Sequence, residues 1–151
     1  MALKEKIVGT NSRAYHDYFI EESYEAGISL VGTEVKALRE GRLNLRESFA
    51  RVEGGQAYLY QCHISPYSHG NISNHDPLRR RKLLLHREEI KRLFGKAQIR
   101  GYTLLPLRIY FKNGLAKVEL ALGNGKKTHD KREALKKKEA RREISRAIKA
   151  Q

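Results

Sequence analysis

The sequence predicts a mainly β domain of short antiparallel strands with flanking helices, followed by a basic C-terminal tail. Three observations predict it. Apolar residues alternate with polar ones through several short runs, the period of half-buried strands. Gly54-Gly55 and Asn113-Gly114 lie between such runs, where tolerance of positive φ favours a tight hairpin. From Gly123 to Gln151, eleven lysines and arginines face four carboxylates, an excess that is half of the formal net charge of +14.

Residues 1–12 read as a short, charged, flexible N-terminus, 13–124 as the folded domain and 125–151 as the tail. Tyr15 to Ile20 is aromatic and β-branched and reads as a strand. Tyr24, Ala26, Ile28 and Leu30 then alternate with polar residues as a second one. Gly32-Thr33 opens a short helix with Thr33 as its N-cap, and Gly41 closes it as the residue after the C-cap. Val35 and Leu38 face one way; Glu34, Lys36 and Arg39 are left on a solvated face. Asn44 to Pro66 reads as a hairpin, with Ser48, Ala50 and Val52 on one arm and Tyr58, Tyr60, Cys62 and Ile64 sharing a face on the other. A long polar stretch from Tyr67 to Pro77 leads into Arg79, Arg80, Arg81 and Lys82, a charge run suited to phosphate contact. Leu83 to Leu85 enters a second helix, about His86 to Phe94, docked by Ile90, Leu93 and Phe94 and stopped by Gly95. Tyr102 to Leu122 is the clearest hairpin. Thr103, Leu105, Leu107, Ile109 and Phe111 read as one face, and Ala116, Val118, Leu120 and Leu122 as its return. Pro106 lacks an N–H for the ladder, which predicts an edge or a bulge there. This order fits a small closed barrel of the oligonucleotide-binding (OB) kind, with a sandwich as the alternative.

At 151 residues, with 32% of them charged, the chain suits one domain plus an extension and points to a large anionic partner. The tail lacks the hydrophobic face a membrane surface would require. One cysteine, Cys62, leaves no internal disulfide and reads as a buried thiol in a reducing compartment. The N-terminus has no apolar core of a signal peptide, so a cytoplasmic protein is expected. No zinc spacing, P-loop, dinucleotide fingerprint or nucleophile elbow is present, so no motif calls for a metal or a cofactor and neither is expected. His129, beside Asp130, Lys131 and Arg132, can stack on a base while the cations hold phosphates. The residues alone leave three functions open: a non-catalytic RNA-binding adaptor, a structural ribosomal protein, and a metal-dependent nuclease using a His/Asp cluster that includes His75.

The tail carries helix formers after Asp130, which can cap a helix with Glu133 three residues on. As a helix, 130–148 would reach roughly 30 Å. Its apolar stripe of Ala140, Ile144, Ala147 and Ile148 is too thin to pack. We expect the tail to be mobile when free and helical once a polyanion neutralises it. Amide exchange protection gained only on RNA binding would support that; equal protection without RNA would remove it.

Five blocks resemble one family, the small protein B or SsrA-binding proteins of bacterial trans-translation. They are Asn11 and Arg13 with His16 to Glu22, Glu25 to Gly27, Gly32 with Glu34 to Arg39, Asp76 to Leu85, and Gly125 to Arg132. They occur in the family's order from about residue 9 onward. The resemblance implies an OB-fold-like barrel that binds the tRNA-like domain of transfer-messenger RNA (tmRNA), without enzymatic activity, as a monomer. It implies a tmRNA-binding set of Asn11, Arg13, Glu25, Glu34, Lys36, Arg39, Leu84 and Lys117, to which the basic residues Arg79, Arg81, Lys82, Lys126 and Lys127 are added on charge. It implies a tail that becomes helical on the ribosome, with His129, Asp130, Lys131 and Arg132 at the decoding centre on small-subunit rRNA. Arg142, Arg146 and Ile148 would then line the empty messenger channel. Two departures stand out. Ala140 and Ala147 replace bulkier residues of some family tails, and the family's frequent tryptophan by the first long helix is absent.

Overall fold

The computed structural model describes residues 5–69 and 74–126. The expectations for Lys127, His129, Asp130, Lys131, Arg132, Arg142, Arg146 and Ile148, and for a tail helix, lie outside those residues. In chain order the elements are β1 (Glu5–Thr10), α1 (Ser12–Asp17), β2 (Tyr18–Ile28), α2 (Gly32–Arg39), β3 (Leu43–Asn44), β4 (Phe49–Glu53), β5 (Gln56–Tyr60), β6 (His63–Ile64), β7 (Arg81–Leu84), α3 (Arg87–Ala97), β8 (Tyr102–Lys112) and β9 (Leu115–Gly125).

Six strands hydrogen-bond in a ring, β8-β4-β5-β7-β2-β9 and back to β8, all antiparallel. This is the OB-like barrel, not the sandwich. Closure leaves no unpaired edge inside the ring. β1 adds outside it, on the C-terminal half of β8, with Glu5 opposite Lys112 and Thr10 opposite Arg108. The segment expected to be a loose N-terminus is therefore a strand from residue 5.

The core holds Ala26 and Ile28 of β2, Ala37 and Leu38 of α2, Leu59 of β5, Leu83 of β7, Leu93 of α3, and Val118, Leu120 and Leu122 of β9. Both hairpin turns are as expected. Gly54 and Gly55 have φ of +56° and +76°, and Asn113 and Gly114 have +52° and +79°. Cys62 is buried, and burial pushes its thiol up to about 11.

Two interruptions of the strand period change which residues face outward. In β8 the pairing with β9 skips one residue between Pro106 and Arg108, so Leu107 is the extra residue of a bulge. Before the bulge Leu104 faces the barrel core; after it Ile109 and Phe111 do. Leu105 and Leu107 instead form a second apolar cluster with Ala14 and Ala121, under α1. The single face expected for Thr103 to Phe111 is thus two faces. In β5, Ala57 and Leu59 point inward; Gln61, at φ +56°, then flips the alternation so that Cys62 and Ile64 follow them into the core. Tyr58 and Tyr60 do not share a face with Cys62 and are only half-buried.

Four local expectations are corrected. Of the strand expected over Tyr15 to Ile20, only Tyr18 to Ile20 is strand, as the start of β2; Tyr15 to Asp17 belong to α1, which lays Ala14 on the second cluster. Thr33 is not the cap of α2: Val31 is, and its N–H donates to the Glu34 carboxylate at 2.9 Å. Leu83 and Leu84 end a strand rather than opening a helix. Gly95 does not stop α3, which continues to Ala97 and packs that residue on the core, while Phe94 stays exposed.

Candidate nucleic-acid interface

Outward-facing residues of β7, β2, β9 and β8 form one continuous strip. Its centre is Gly27 of β2, which pairs with Leu84 of β7 on one side and with Lys117 of β9 on the other. A Cβ on Gly27 would meet the Leu84 Cβ at 3.2 Å, so the glycine lets Leu84 lie close over β2. Leu84 nevertheless keeps 55% of its surface exposed. Lys117 pairs in turn with Tyr110 of β8. The Tyr110 hydroxyl donates to Glu25 at 2.5 Å, and Lys112 Nζ donates to the same carboxylate at 3.2 Å. These bonds, Tyr110 first, hold the Glu25 carboxyl below its ordinary value. Burial and the Glu25 carboxylate raise the Tyr110 phenol well above its own. The strip therefore carries a fixed anion, two amines and an exposed leucine at neutral pH, a mixture that can meet phosphates, a base edge and an apolar base face together.

The structure brings together Glu25, Leu84 and Lys117 from the expected set. Arg39 is exposed on α2, its guanidinium 4.9 Å from the ring of Phe111, a residue of the core face of β8 rather than of the strip. Lys36 is exposed on the same helix, 5.5 Å from the ring of Tyr67. Lys82 is exposed on β7, opposite Tyr58. Lys126 stands apart. Its backbone N–H and Nζ are bound to the carbonyls of Asp17 and Tyr15, and Nζ lies 4.9 Å from the ring of Phe19. Gly27↔Lys117 and Tyr18↔Gly125 lie at opposite ends of the β2–β9 pairing, roughly 30 Å apart at the usual rise per strand residue. Arg13 lies on the far side too, with Arg46 in a cleft of about 300 Å³ beside α1.

Three members of the expected set are not on the surface. Asn11 is buried, its backbone N–H donating to Leu107 O at 2.7 Å and its Nδ2 to Pro106 O at 3.0 Å. It clamps both carbonyls of the β8 bulge. Glu34 and Arg81 are each fully buried. Arg81 Nε donates to one Glu34 oxygen, and its Nη1 to Cys62 O at 2.5 Å. Arg79 Nη2 donates to the other Glu34 oxygen. Burial pushes the Glu34 carboxyl up, but the bonds from Arg79, Val31 N–H and Arg81 together outweigh it and hold it below its ordinary value. This knot ties the 76–82 segment to α2. Arg81 is part of the interior, and Arg79 is half-buried with one side committed to the knot. A buried carboxylate needs such partners, which is why the charge run folds inward.

Tyr110 and Lys112 were missed by sequence reasoning. The signal was Pro106: a bulge there shifts the alternation and takes Tyr110 off the core face of Ile109 and Phe111, although Tyr110 itself is buried and serves the strip through its bond to Glu25. His75 does not form an acid–base centre, since Nδ1 bonds Thr33 Oγ1 at 2.9 Å and Nε2 bonds Ile64 O at 2.8 Å.

A family model described as "SmpB protein" matches residues 8–150. The chain belongs to the SmpB family. Its SmpB relatives include the SsrA-binding protein of Geobacillus kaustophilus, 59% identical over 95% of this chain and 92% of that protein. That of Halothermothrix orenii is 60% identical over 95% and 93%, and that of Bacillus subtilis 58% over 95% and 92%. A solved chain described as "tmRNA-SmpB: a journey to the center of the bacterial ribosome" superposes with a TM-score of 0.69 at 50% identity, covering 89% of this chain and 95% of that one. The SmpB membership explains why the five sequence blocks occur together.

Proposed function

We propose that this protein binds the tRNA-like domain of tmRNA through the Leu84–Gly27–Lys117 strip and delivers it to stalled ribosomes for trans-translation in the cytoplasm. The observation that carries the site is the convergence of Glu25, Leu84 and Lys117 from three strands onto one glycine. Lys117, Arg39 and Lys36 supply charge toward the phosphate backbone. Leu84 supplies an apolar contact for an unstacked base, and Glu25, held by Tyr110, can accept from a base edge. Naming by likeness to SsrA-binding proteins and to the tmRNA–SmpB structure supports the choice of RNA. No catalytic step belongs to this function, and no helix of the described residues is long and apolar enough to cross a membrane.

The tail would act separately. His129 would stack on a base of small-subunit rRNA at the decoding centre, with Asp130, Lys131 and Arg132 beside it and Arg142, Arg146 and Ile148 in the messenger channel. A gel-shift comparison tests the first part: tight retardation of tmRNA and weak retardation of an ordinary tRNA is expected, and equal retardation overturns it. Truncation after Gly125 tests the second. It should spare tmRNA binding and abolish peptide tagging on stalled ribosomes; lost RNA affinity would refute the division of labour.

A further inference from the structure

The ring order places β4 opposite β2 and β5 opposite β9, each three strands away in either direction. The outer face there carries neighbouring aromatic rings and guanidinium groups. Phe49 of β4 pairs with Tyr60 of β5, and their rings stack at 5.4 Å with an interplanar angle of 9°. Arg51 lies over both, 5.1 Å from the Phe49 centroid and 5.8 Å from that of Tyr60. Next to them Arg80 lies 4.1 Å from the Tyr58 ring, and Lys82 pairs with Tyr58. Arg51, Arg80 and Lys82 are all exposed.

Surface aromatics under arginine are often no more than local packing, worth little at exposed sites. Three observations argue for more here. Glu53 on this face binds Arg80 at 3.2 Å and accepts from the Tyr60 hydroxyl at 2.5 Å; among the described residues Arg51 has ring contacts and no carboxylate partner. Phe49 is also the wall of a cleft of about 330 Å³ that it shares with Arg51, Phe94, Gln98 and Tyr102, within the size range of small-ligand sites. Phe94 is 47% exposed at that cleft although α3 has a buried face available. Rings, an adjacent apolar cleft and the Arg51 guanidinium with no carboxylate partner are the parts of a platform on which unpaired bases stack while cations follow the backbone.

We propose that this β4–β5 face is a second RNA contact, and that its occupant is an unpaired strand of ribosomal RNA stacked on Phe49 and Tyr60 with its phosphates on Arg51, Arg80 and Lys82. The choice of ribosomal RNA over tmRNA rests on the function proposed above. A barrel holding tmRNA at β2 and β9 turns β4 and β5 away from it. The chemistry of the face does not depend on that choice.

The test has two arms, both with the full chain. In the first, a short unstructured RNA oligonucleotide and the duplex of the same sequence are titrated against wild type, Phe49→Leu/Tyr60→Leu and the ring-preserving Phe49→Tyr/Tyr60→Phe. Loss of single-strand affinity by roughly tenfold in the leucine variant only, with duplex and tmRNA affinity unchanged, is expected from the value of one stacked base. Equal affinity in all three, or loss for every RNA alike, overturns the platform. In the second arm a photoreactive phenylalanine analogue replaces Tyr60 on stalled ribosomes loaded with tmRNA. Crosslinks to ribosomal RNA are expected. Crosslinks to tmRNA or to ribosomal protein alone, or none, overturn the occupant. Failure of wild type to retard tmRNA would defeat the earlier function while leaving the first arm readable.

Discussion

Two carboxylates among basic residues, Glu34 and Glu25, have opposite fates in this molecule. Glu34 sits in the interior with the guanidiniums of Arg79 and Arg81 and a backbone N–H around it. Glu25 lies on the outside, 39% exposed, with Tyr110 and Lys112 as partners and Lys117 close enough to act on it through charge. By composition the two settings are nearly the same. Burial separates them. In the interior every charge must be met by protein, which makes the knot a fastening for α2 and the 76–82 segment. On the strip the charges keep unmet capacity, which is what a nucleic acid needs.

The sharpest way to break this contrast is to remove one partner from each setting. Arg81→Met leaves Glu34 short of a partner in the interior and should cost about 3–5 kcal/mol, read from the urea midpoint. The double variant Glu34→Leu/Arg81→Met should recover most of that loss, because no buried charge is then left alone. A single variant as stable as wild type would mean that water already reaches the knot.

On the strip the expected effect moves from stability to affinity. Leu84→Ala and Lys117→Ala should each leave stability within about 0.5 kcal/mol and weaken tmRNA binding by roughly tenfold. Lys117→Ala should also reduce the salt slope of binding by about one. Leu84→Ala, which removes no charge, should leave that slope alone. A gel-shift series across salt concentration separates them.

Acid offers a smaller and more general test. The Glu22 carboxyl is held down to about 2 by Arg92 and then by Lys96 and Tyr24. These bonds tie α3 to β2. A carboxyl lowered in the folded state stabilises fully above its unfolded value near 4.5, and that contribution is lost as pH falls from there toward 2. Glu22→Gln should therefore flatten the decline of thermal midpoint over this window and matter least at low pH. An unchanged slope would show that the ion pair on α3 does not survive in solution. The smallest effect is expected at Gly27. Gly27→Ala brings a methyl to 3.2 Å from the Leu84 Cβ, which side-chain rotation does not move, so β2 and β7 must part slightly and stability should fall by about 1 kcal/mol. tmRNA affinity should still fall as Leu84 is displaced.

Much of this was legible in the residues, for identifiable reasons. A hairpin turn is decided within a few residues, so Asn113-Gly114 and Gly54-Gly55 declared themselves. The β9 face of Ala116, Val118, Leu120 and Leu122 followed from its period, and Pro106 announced a bulge. The direction of the side chains beyond each interruption was not legible. Gln61 adopts a positive φ that its residue type does not advertise, and it turns Cys62 and Ile64 to the face opposite Tyr58 and Tyr60. The bulge at Leu107 is clamped by Asn11, 95 residues away from Pro106 in the chain. α1 resembled a strand because its aromatic run has no clear helical period, and only the apolar cluster it covers makes it a helix.

By itself the sequence determined a basic RNA-binding character, a β-rich body with its two tight turns, and a family relation carried by short blocks. All are set by residue identity or by neighbours a few positions apart. Only the tertiary structure decided that the ring closes, that Asn11, Glu34 and Arg81 turn inward, and that Glu25, Leu84 and Lys117 meet at Gly27. Desolvation is the reason. Whether a charge faces water or protein depends on what packs against it, and for Glu34 and Arg81 that partner lies 47 residues along the chain.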